Sequence, residues 1–476
     1  MQTAEKVLHY FSELSKIPRS SGDEKAVADW LVRFAEERHL ECVRDERNNV
    51  IIRKPATKAD CKCAPVILQG HMDMVYVRTP ACTRKYEDGI GLVEKDGCLS
   101  ADGTTLGADD GVAVAYALAV LDSDEIEHPE LECIFTVSEE TGLMGAESLD
   151  YSQLRGRLLH NMDSEEEGVF CTGCAGAFRC DFDIPVSYEP VTGVKLTVAF
   201  KDLIGGHSGE EINRGRANAI TLMGRLLSRL DEKVRLISLS AEGKTNAISN
   251  NALAEFCVSP EDLQEVEKTI QELEADFQNE CGPRDTIHIV CTRGGETGRC
   301  VCYDKASQTR TTAALLLFPS GVVAMSYNVP DLVETSANPA ILEQSKGQLK
   351  LLASIRSSVG SRKAEMRERV TALAAALGAK AVCGSDYPQW EYKPDSPLRE
   401  MAMQTYKELF GKKAEAHAIH AGLECGYFDT YVPGIDIISF GPTIADIHTP
   451  KEHVEIASIE RVWNFLLALL KKLADK

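Results

Sequence analysis

His71 and Asp73 close a short apolar run, Val66-Ile-Leu-Gln-Gly-His71-Met-Asp73. A run of this kind is most simply a buried strand, and residues two apart on a strand share a face. Neutral imidazole is a common metal ligand, and a carboxylate beside it fixes the tautomer of the ligating ring. Taken alone, the pair reads more simply as a strand-end histidine with an acidic neighbour. Similar boundaries elsewhere in the chain change that balance.

Thr104-Thr-Leu-Gly-Ala-Asp109-Asp110-Gly111 places two carboxylates at the start of an Ala-rich apolar helix, Val112–Leu121. One acid there serves the helix dipole; two are more than a cap needs. Leu131–Val137 runs into Ser138-Glu139-Glu140, Leu158-Leu159 leads to Asn161-Met-Asp163, and a late strand at Ile435–Phe440 precedes Asp446-Ile-His448-Thr449. His71, Asp73, Asp109, Glu139, Glu140, Asp163 and His448 together would suit a pair of zinc ions, with histidine and carboxylate ligands and one carboxylate bridging. Paired cations polarise a carbonyl and activate water near neutral pH. Glu139 and Glu140 point different ways at a strand end, so one can bind metal while the other faces the water as general base. Competing motifs are missing from the sequence: no H-E-x-x-H, no P-loop and no dinucleotide fingerprint. Gly206-His-Ser208-Gly209 falls short of a nucleophile elbow.

The elements that must position these residues follow from the rest of the chain. At 476 residues it is too long for one ordinary core, so two domains are expected. Residues 1–40 read as helical, interrupted at Ser20-Ser-Gly-Asp, which offers Ser and Asp caps to the second helix. Residues 45–170 alternate strand and helix, as in an α/β domain with a largely parallel sheet, with a polar connection over 76–103. From about 181 to 384 the pattern becomes α+β. Strands are predicted at Gly193–Phe200, within Leu236–Val258, and at Thr286–Thr292, Leu315–Tyr327 and Gln348–Ser357; helices are predicted at Arg216–Leu230, Pro260–Glu280 and Ser361–Gly378. Residues 385–476 resume the first texture, with helices at Leu398–Phe410 and Ile456–Leu473. The expected organisation is a catalytic domain of residues 1–180 and 385–476, with residues 181–384 inserted.

A net charge of −21 argues against a nucleic-acid backbone or an anionic membrane as partner. No apolar run approaches the ~20 residues that span a bilayer, and Met1–Ile17 reads as an amphipathic helix, not a signal peptide. A cytoplasmic protein is therefore expected, its 16 cysteines free thiols. Cys171-x-x-Cys174 lacks the second pair that a zinc ribbon requires, and Cys61-Lys-Cys63 does not supply it.

The set His71-x-Asp73-x-Val75, Gly107-Ala-Asp109-Asp110-Gly111, Ser138-Glu-Glu-Thr-Gly142, Asn161-x-Asp163-Ser-Glu-Glu-Glu-Gly168, Gly205-Gly-His207-Ser-Gly209 and Asp446-x-His448-Thr449 resembles the co-catalytic dizinc exopeptidases. These include carnosinases, carboxypeptidases, succinyl-diaminopimelate desuccinylase and aminoacylases. His420-Ala-Gly-Leu-Glu-Cys-Gly426, Leu332–Asn338, Arg356-Ser-Ser-Val359 and Tyr387-Pro-Gln-Trp390 look like the aminoacyl-histidine dipeptidase branch, and the resemblance covers essentially the whole chain.

It implies a zinc-exopeptidase-like mixed sheet flanked by helices, with an inserted α+β lid domain. His71 and Asp163 would hold one zinc, Glu140 and His448 the other, with Asp109 bridging and cobalt or manganese as possible replacements. Asp73 would orient His71, and Glu139 would be the general base. His207 would stabilise the oxyanion, while Arg356 and the Gly422 turn would grip the carboxylate or backbone of a small peptide. The lid would also offer a homodimer interface. Asp110 stands where many relatives carry Asn, and Asn213 where close relatives often carry His. His420 reads as an ordinary hydrogen-bonded histidine. The implied activity is cytosolic hydrolysis of dipeptides, Xaa-His and β-Ala-His included. The same residues would serve a tripeptidase or an N-acyl amino acid deacylase. A non-catalytic metal- or peptide-binding relative would be expected to lack a ligand or the base, and this chain lacks neither.

Overall fold

The computed structural model describes residues 3–476. The chain forms two compact units: one runs to Cys174 and resumes over Trp390–Ala418 and Leu423–Lys476, and the other comprises Ala175–Gln389 with Ile419–Gly422.

The first unit is built on an eight-stranded sheet in the order Glu41–Arg44, Val50–Lys54, Leu131–Thr136, Val66–His71, Leu158–Asn161, Asp436–Ser439, Val169–Cys174, Glu415–Ile419. The strands from Leu131 to Ser439 in that order run parallel, and antiparallel strands flank them. Parallel strands need cover on both faces, which is why Val66–His71 and Leu131–Thr136 are buried throughout. Parallelism also gathers the carboxyl ends of four strands at one edge, where His71 ends its strand and Glu139 and Asp163 follow theirs. Helix Ala108–Leu121 is buried at every position, which explains a uniformly apolar sequence in place of an amphipathic one. Its Tyr116 stacks on Trp463 at 6.1 Å and donates to the Ile459 carbonyl at 2.9 Å.

Two expectations for this unit are corrected. The predicted Ser and Asp caps do not cap the helix Lys25–Glu37, whose N-cap is Glu24 and makes no side-chain capping bond. Ser21 donates instead to Asp73 at 2.7 Å, and Glu24 accepts from Ser138 N–H at 2.9 Å, so these polar groups serve the strand ends of the site. The stretch 76–103 is not only connection. Leu92–Lys95 and Cys98–Ala101 form a hairpin in a small sheet with Ile444–Ala445 and His453–Glu455. Asp96 and Gly97, at φ 52° and 78°, supply the left-handed turn that a two-residue hairpin needs.

The second unit carries two antiparallel sheets. One is ordered Gly321–Met325, Val333–Ser345, Gln348–Ser357, Gly176–Pro185, Lys380–Tyr387. The other is ordered Val234–Ser240, Ala252–Val258, Tyr188–Phe200, Ile289–Arg293, and Gly298–Tyr303 pairs with the first half of Tyr188–Phe200. The strand predicted over Leu315–Tyr327 is confined to Gly321–Met325, and Leu315 closes into a helix, Lys305–Leu317. Asp304 starts that helix by accepting from Ser307 N–H at 2.7 Å, an N-cap that outweighs the β-branched Thr content. Among the described residues no helix is long and apolar enough to cross a membrane. No disulfide joins any of the 16 cysteines.

His160, on strand Leu158–Asn161, is fully buried with both ring nitrogens unpartnered and Phe440 alongside. Burial holds its pKa down to about 3, against 6.5 for an ordinary histidine. Between those values the unfolded chain takes a proton that the folded chain refuses, so stability is complete above 6.5 and is lost as pH falls towards 3. The wild type is expected to lose on the order of 3 kcal/mol more than His160→Leu between pH 7 and pH 4. Urea unfolding of both proteins across that range measures the difference, and superimposable pH profiles would remove this role for His160.

Candidate metal centre

His71 is buried, with Nε2 3.1 Å from Asp109 Oδ1 and 3.7 Å from Asp163 Oδ1. Its Nδ1 lies 3.4 Å from Asp73 Oδ1. The other oxygen of Asp109, Oδ2, is 3.1 Å from His448 Nε2, which also lies 2.8 Å from Glu140 Oε1. One carboxylate thus presents each of its oxygens to a different histidine. Donor atoms of His71, Asp110 and Asp163 lie within 4.8 Å of one another, as do those of His71, Asp109 and Glu140.

Asp73 is fully buried and well supplied with hydrogen-bond donors. It accepts from Ser21 Oγ at 2.7 Å, Glu139 N–H at 3.1 Å and Glu140 N–H at 3.4 Å. One buried carboxylate therefore faces the His71 ring and also fixes the backbone of the two glutamates. His448 sits in a loop bracketed by the paired strands Ile444–Ala445 and His453–Glu455, and its own φ is 59°. The peptide between Asp109 and Asp110 is cis.

The electrostatics show what this donor set lacks. Burial, reinforced by neighbouring carboxylates, holds Glu139 and Asp163 well above the usual carboxylate range. Burial, with Asp109 adding to it, raises Asp110 in the same way. Burial would depress His71, but Asp109 and Asp73 push it well above its ordinary value, and Asp109 and Glu140 carry His448 up to about 10. Asp109, despite its burial, is held low by the two histidines. The cluster carries more negative charge than two imidazoles neutralise, on oxygen and nitrogen donors at coordinating separations. Such a set fits divalent cations.

The second unit assembles its own polar cluster. Arg356 is buried, and its Nη1 donates to Tyr387 Oη at 2.9 Å. Gly422 packs against the same tyrosine: a Cβ there would stand 2.7 Å from the ring. His207 accepts from Glu210 N–H at 3.2 Å, and burial and the Arg356 charge lower its pKa. His420 bonds Ser336 Oγ at 2.7 Å and, buried near Arg356 and His207, is held down to about 3. Its reading as a hydrogen-bonded neutral histidine is compatible with this bond. Asn213 is exposed in a short turn.

Three buried groups escaped the sequence reading. Glu424 accepts from Gln69 at 2.5 Å and Thr136 at 2.6 Å beneath the strand ends, and burial raises it to about 7. Arg19 and Glu452 bond only to main-chain groups around the site. Glu452 stands four residues after His448, the one sequence signal that could have drawn attention to it.

With this geometry in hand, comparisons place the chain. The model of peptidase family M20/M25/M40 matches residues 67–472. The cytosol non-specific dipeptidase of Escherichia coli (strain K12) is 34% identical over 478 residues, covering 98% of this chain and 97% of the relative. The crystal structure of aminoacylhistidine dipeptidase from Vibrio alginolyticus superposes with a TM-score of 0.90 at 33% identity, over 98% of this chain and 96% of that one. A tripeptidase structure from Staphylococcus aureus reaches a TM-score of 0.57 at 18% identity over the full length of both chains, a likeness of fold alone. The α/β fold is shared with the Vibrio enzyme, and the chain belongs to peptidase family M20/M25/M40 as a metallopeptidase of its dipeptidase branch.

Proposed function

We propose that this enzyme hydrolyses dipeptides with free termini, Xaa-His and β-Ala-His among them, in the cytoplasm. The observation that carries the reading is Asp109, whose two oxygens face two histidines at 3.1 Å each, beside a strand end that offers Glu139 and Glu140 together. The names of the E. coli and Vibrio relatives support the substrate class and the compartment.

In this reading His71 and Asp163 would hold one zinc, Glu140 and His448 would hold the other, and Asp109 would serve both; cobalt or manganese could replace zinc. When bound, the cation pair lowers the pKa of water and polarises the scissile carbonyl. Asp73 keeps His71 in one tautomer, its Nδ1 turned to the carboxylate. Glu139 takes the proton from the attacking water and delivers it to the departing nitrogen. Its burial among other carboxylates favours the protonated form it holds between those transfers. His207 donates to the oxyanion, and Arg356 and the Gly422 turn receive the peptide's carboxylate or backbone. Residues 1–180 and 385–476 act as the catalytic domain, and 181–384 as an inserted substrate-binding domain. That domain also forms a homodimer, to which the exposed Val322, Val323 and Met325 of its edge strand contribute.

Arg356→Met is expected to raise KM for dipeptides by about 10–100-fold with little change in kcat, because a charged hydrogen bond to a carboxylate is lost. A matching loss on C-terminally amidated dipeptides would remove Arg356 from that role. The overall reading is tested by hydrolysis of carnosine, Gly-His, Ala-Ala-Ala and N-acetyl-Met with and without added zinc. Cleavage of the dipeptides alone supports it. Cleavage of only the tripeptide or the acylated residue assigns the same centre to tripeptidase or deacylase chemistry.

A further inference from the structure

Arg19 and Glu452 are both buried, with 1% and 2% of their surface exposed, and the bonds of both go to main chain. Arg19 Nη1 donates to the carbonyls of Met72 at 3.0 Å and Asp73 at 2.9 Å, and Nη2 to that of Gly107 at 2.5 Å. Glu452 accepts from four consecutive amides, with Oε2 taking Leu106 at 2.8 Å and Gly107 at 3.0 Å, and Oε1 taking Ala108 at 2.8 Å and Asp109 at 3.4 Å. Gly107 therefore gives its N–H to the carboxylate and its carbonyl to the guanidinium. It has φ 70°, which favours glycine, and a Cβ there would stand 2.6 Å from Arg19 Nη2 and from Met74 Sδ, so a side chain would have to displace one or both of those groups.

Burying two charges costs several kcal/mol each unless their bonds are well made. Here they join three loops that are far apart in sequence. Glu452 belongs to the loop of His448 and grips the turn that leads into Asp109. Arg19 grips the same turn and the strand end that bears His71 and Asp73.

We infer that Arg19 and Glu452 are positioning residues for the metal centre: through Gly107 they set the spacing of the loops that carry His71, Asp109 and His448 before any cation binds. The inference rests on the ligand set proposed above. It assigns these residues no contact with substrate or with reacting atoms.

The test is metal binding to the full-length protein, stripped with chelator, in wild type, Glu452→Gln and Arg19→Lys. Zinc affinity is read by competition with a chromophoric chelator, alongside the Tm of stripped and loaded forms. Glutamine turns an N–H towards amides that donate, and lysine cannot span three carbonyls as a planar fork does. Each variant is expected to lose about 10–100-fold in zinc affinity, and the rise in Tm on loading should shrink. A merely structural role would lower stripped and loaded Tm equally with affinity unchanged, and that result overturns the inference. Wild type that binds no zinc would instead remove the ligand assignment on which it rests. Hydrogen exchange on stripped wild type covers the case of variants that do not fold. The amides of Leu106, Gly107 and Ala108 are expected to be as protected as those of the central strands, and rapid exchange there overturns the inference equally.

Discussion

Replacing Glu139 by glutamine is expected to lower kcat on a dipeptide by about 10³-fold, with KM and metal content near wild type. The geometry makes this substitution clean. Glu139 is held at its strand end by its own N–H, which donates to Asp73 Oδ1 at 3.1 Å, and glutamine keeps that bond. Its neighbour Glu140 faces His448 at 2.8 Å and is untouched. The change removes a proton acceptor from a pair of adjacent carboxylates and little else. Loss of activity together with one equivalent of metal would make Glu139 a ligand and send the search for the base elsewhere.

Asp109→Asn is expected to reduce affinity for both cations by at least about 100-fold and activity by at least about 10³-fold. Each Asp109 oxygen faces a different imidazole, and an amide offers one acceptor where two are needed. Asp110→Asn supplies the contrast. Burial pushes Asp110 well above the carboxylate range, and its Oδ2 accepts from the His71 N–H at 3.2 Å, a bond that an amide oxygen reproduces. That variant is expected to keep two equivalents of metal and most activity. Metal analysis after dialysis separates the two. If Asp110→Asn lost one cation, the grouping of Asp110 with His71 and Asp163 would be the true ligand set.

Most of the candidate donors were legible because they stand where apolar runs stop. Four parallel strands must be buried along their length, so a polar residue at each carboxyl end is visible against Val66-Ile-Leu or Leu131-Glu-Cys-Ile-Phe. The groups that hold those donors were not legible. Arg19 and Glu452 are charged residues of ordinary type in polar stretches. What distinguishes them is burial against main-chain atoms, and no spacing rule encodes that. Local preference makes Ser20-Ser21-Gly-Asp23 a helix cap, whereas tertiary contacts turn Ser21 and Glu24 towards Asp73 and Ser138. Leu315-Leu-Leu317 illustrates a different limit. A short apolar run does not tell helix from strand, and the Asp304 cap upstream decided for helix.

The most direct measurement of the central claim is zinc titration into stripped protein, with bound equivalents and carnosine hydrolysis followed on the same samples. Saturation at two equivalents per chain is expected, with activity absent in stripped protein and restored by the metal. Full activity with no bound metal, or saturation of Asp109→Asn at two equivalents with wild-type turnover, would contradict a centre bridged by Asp109.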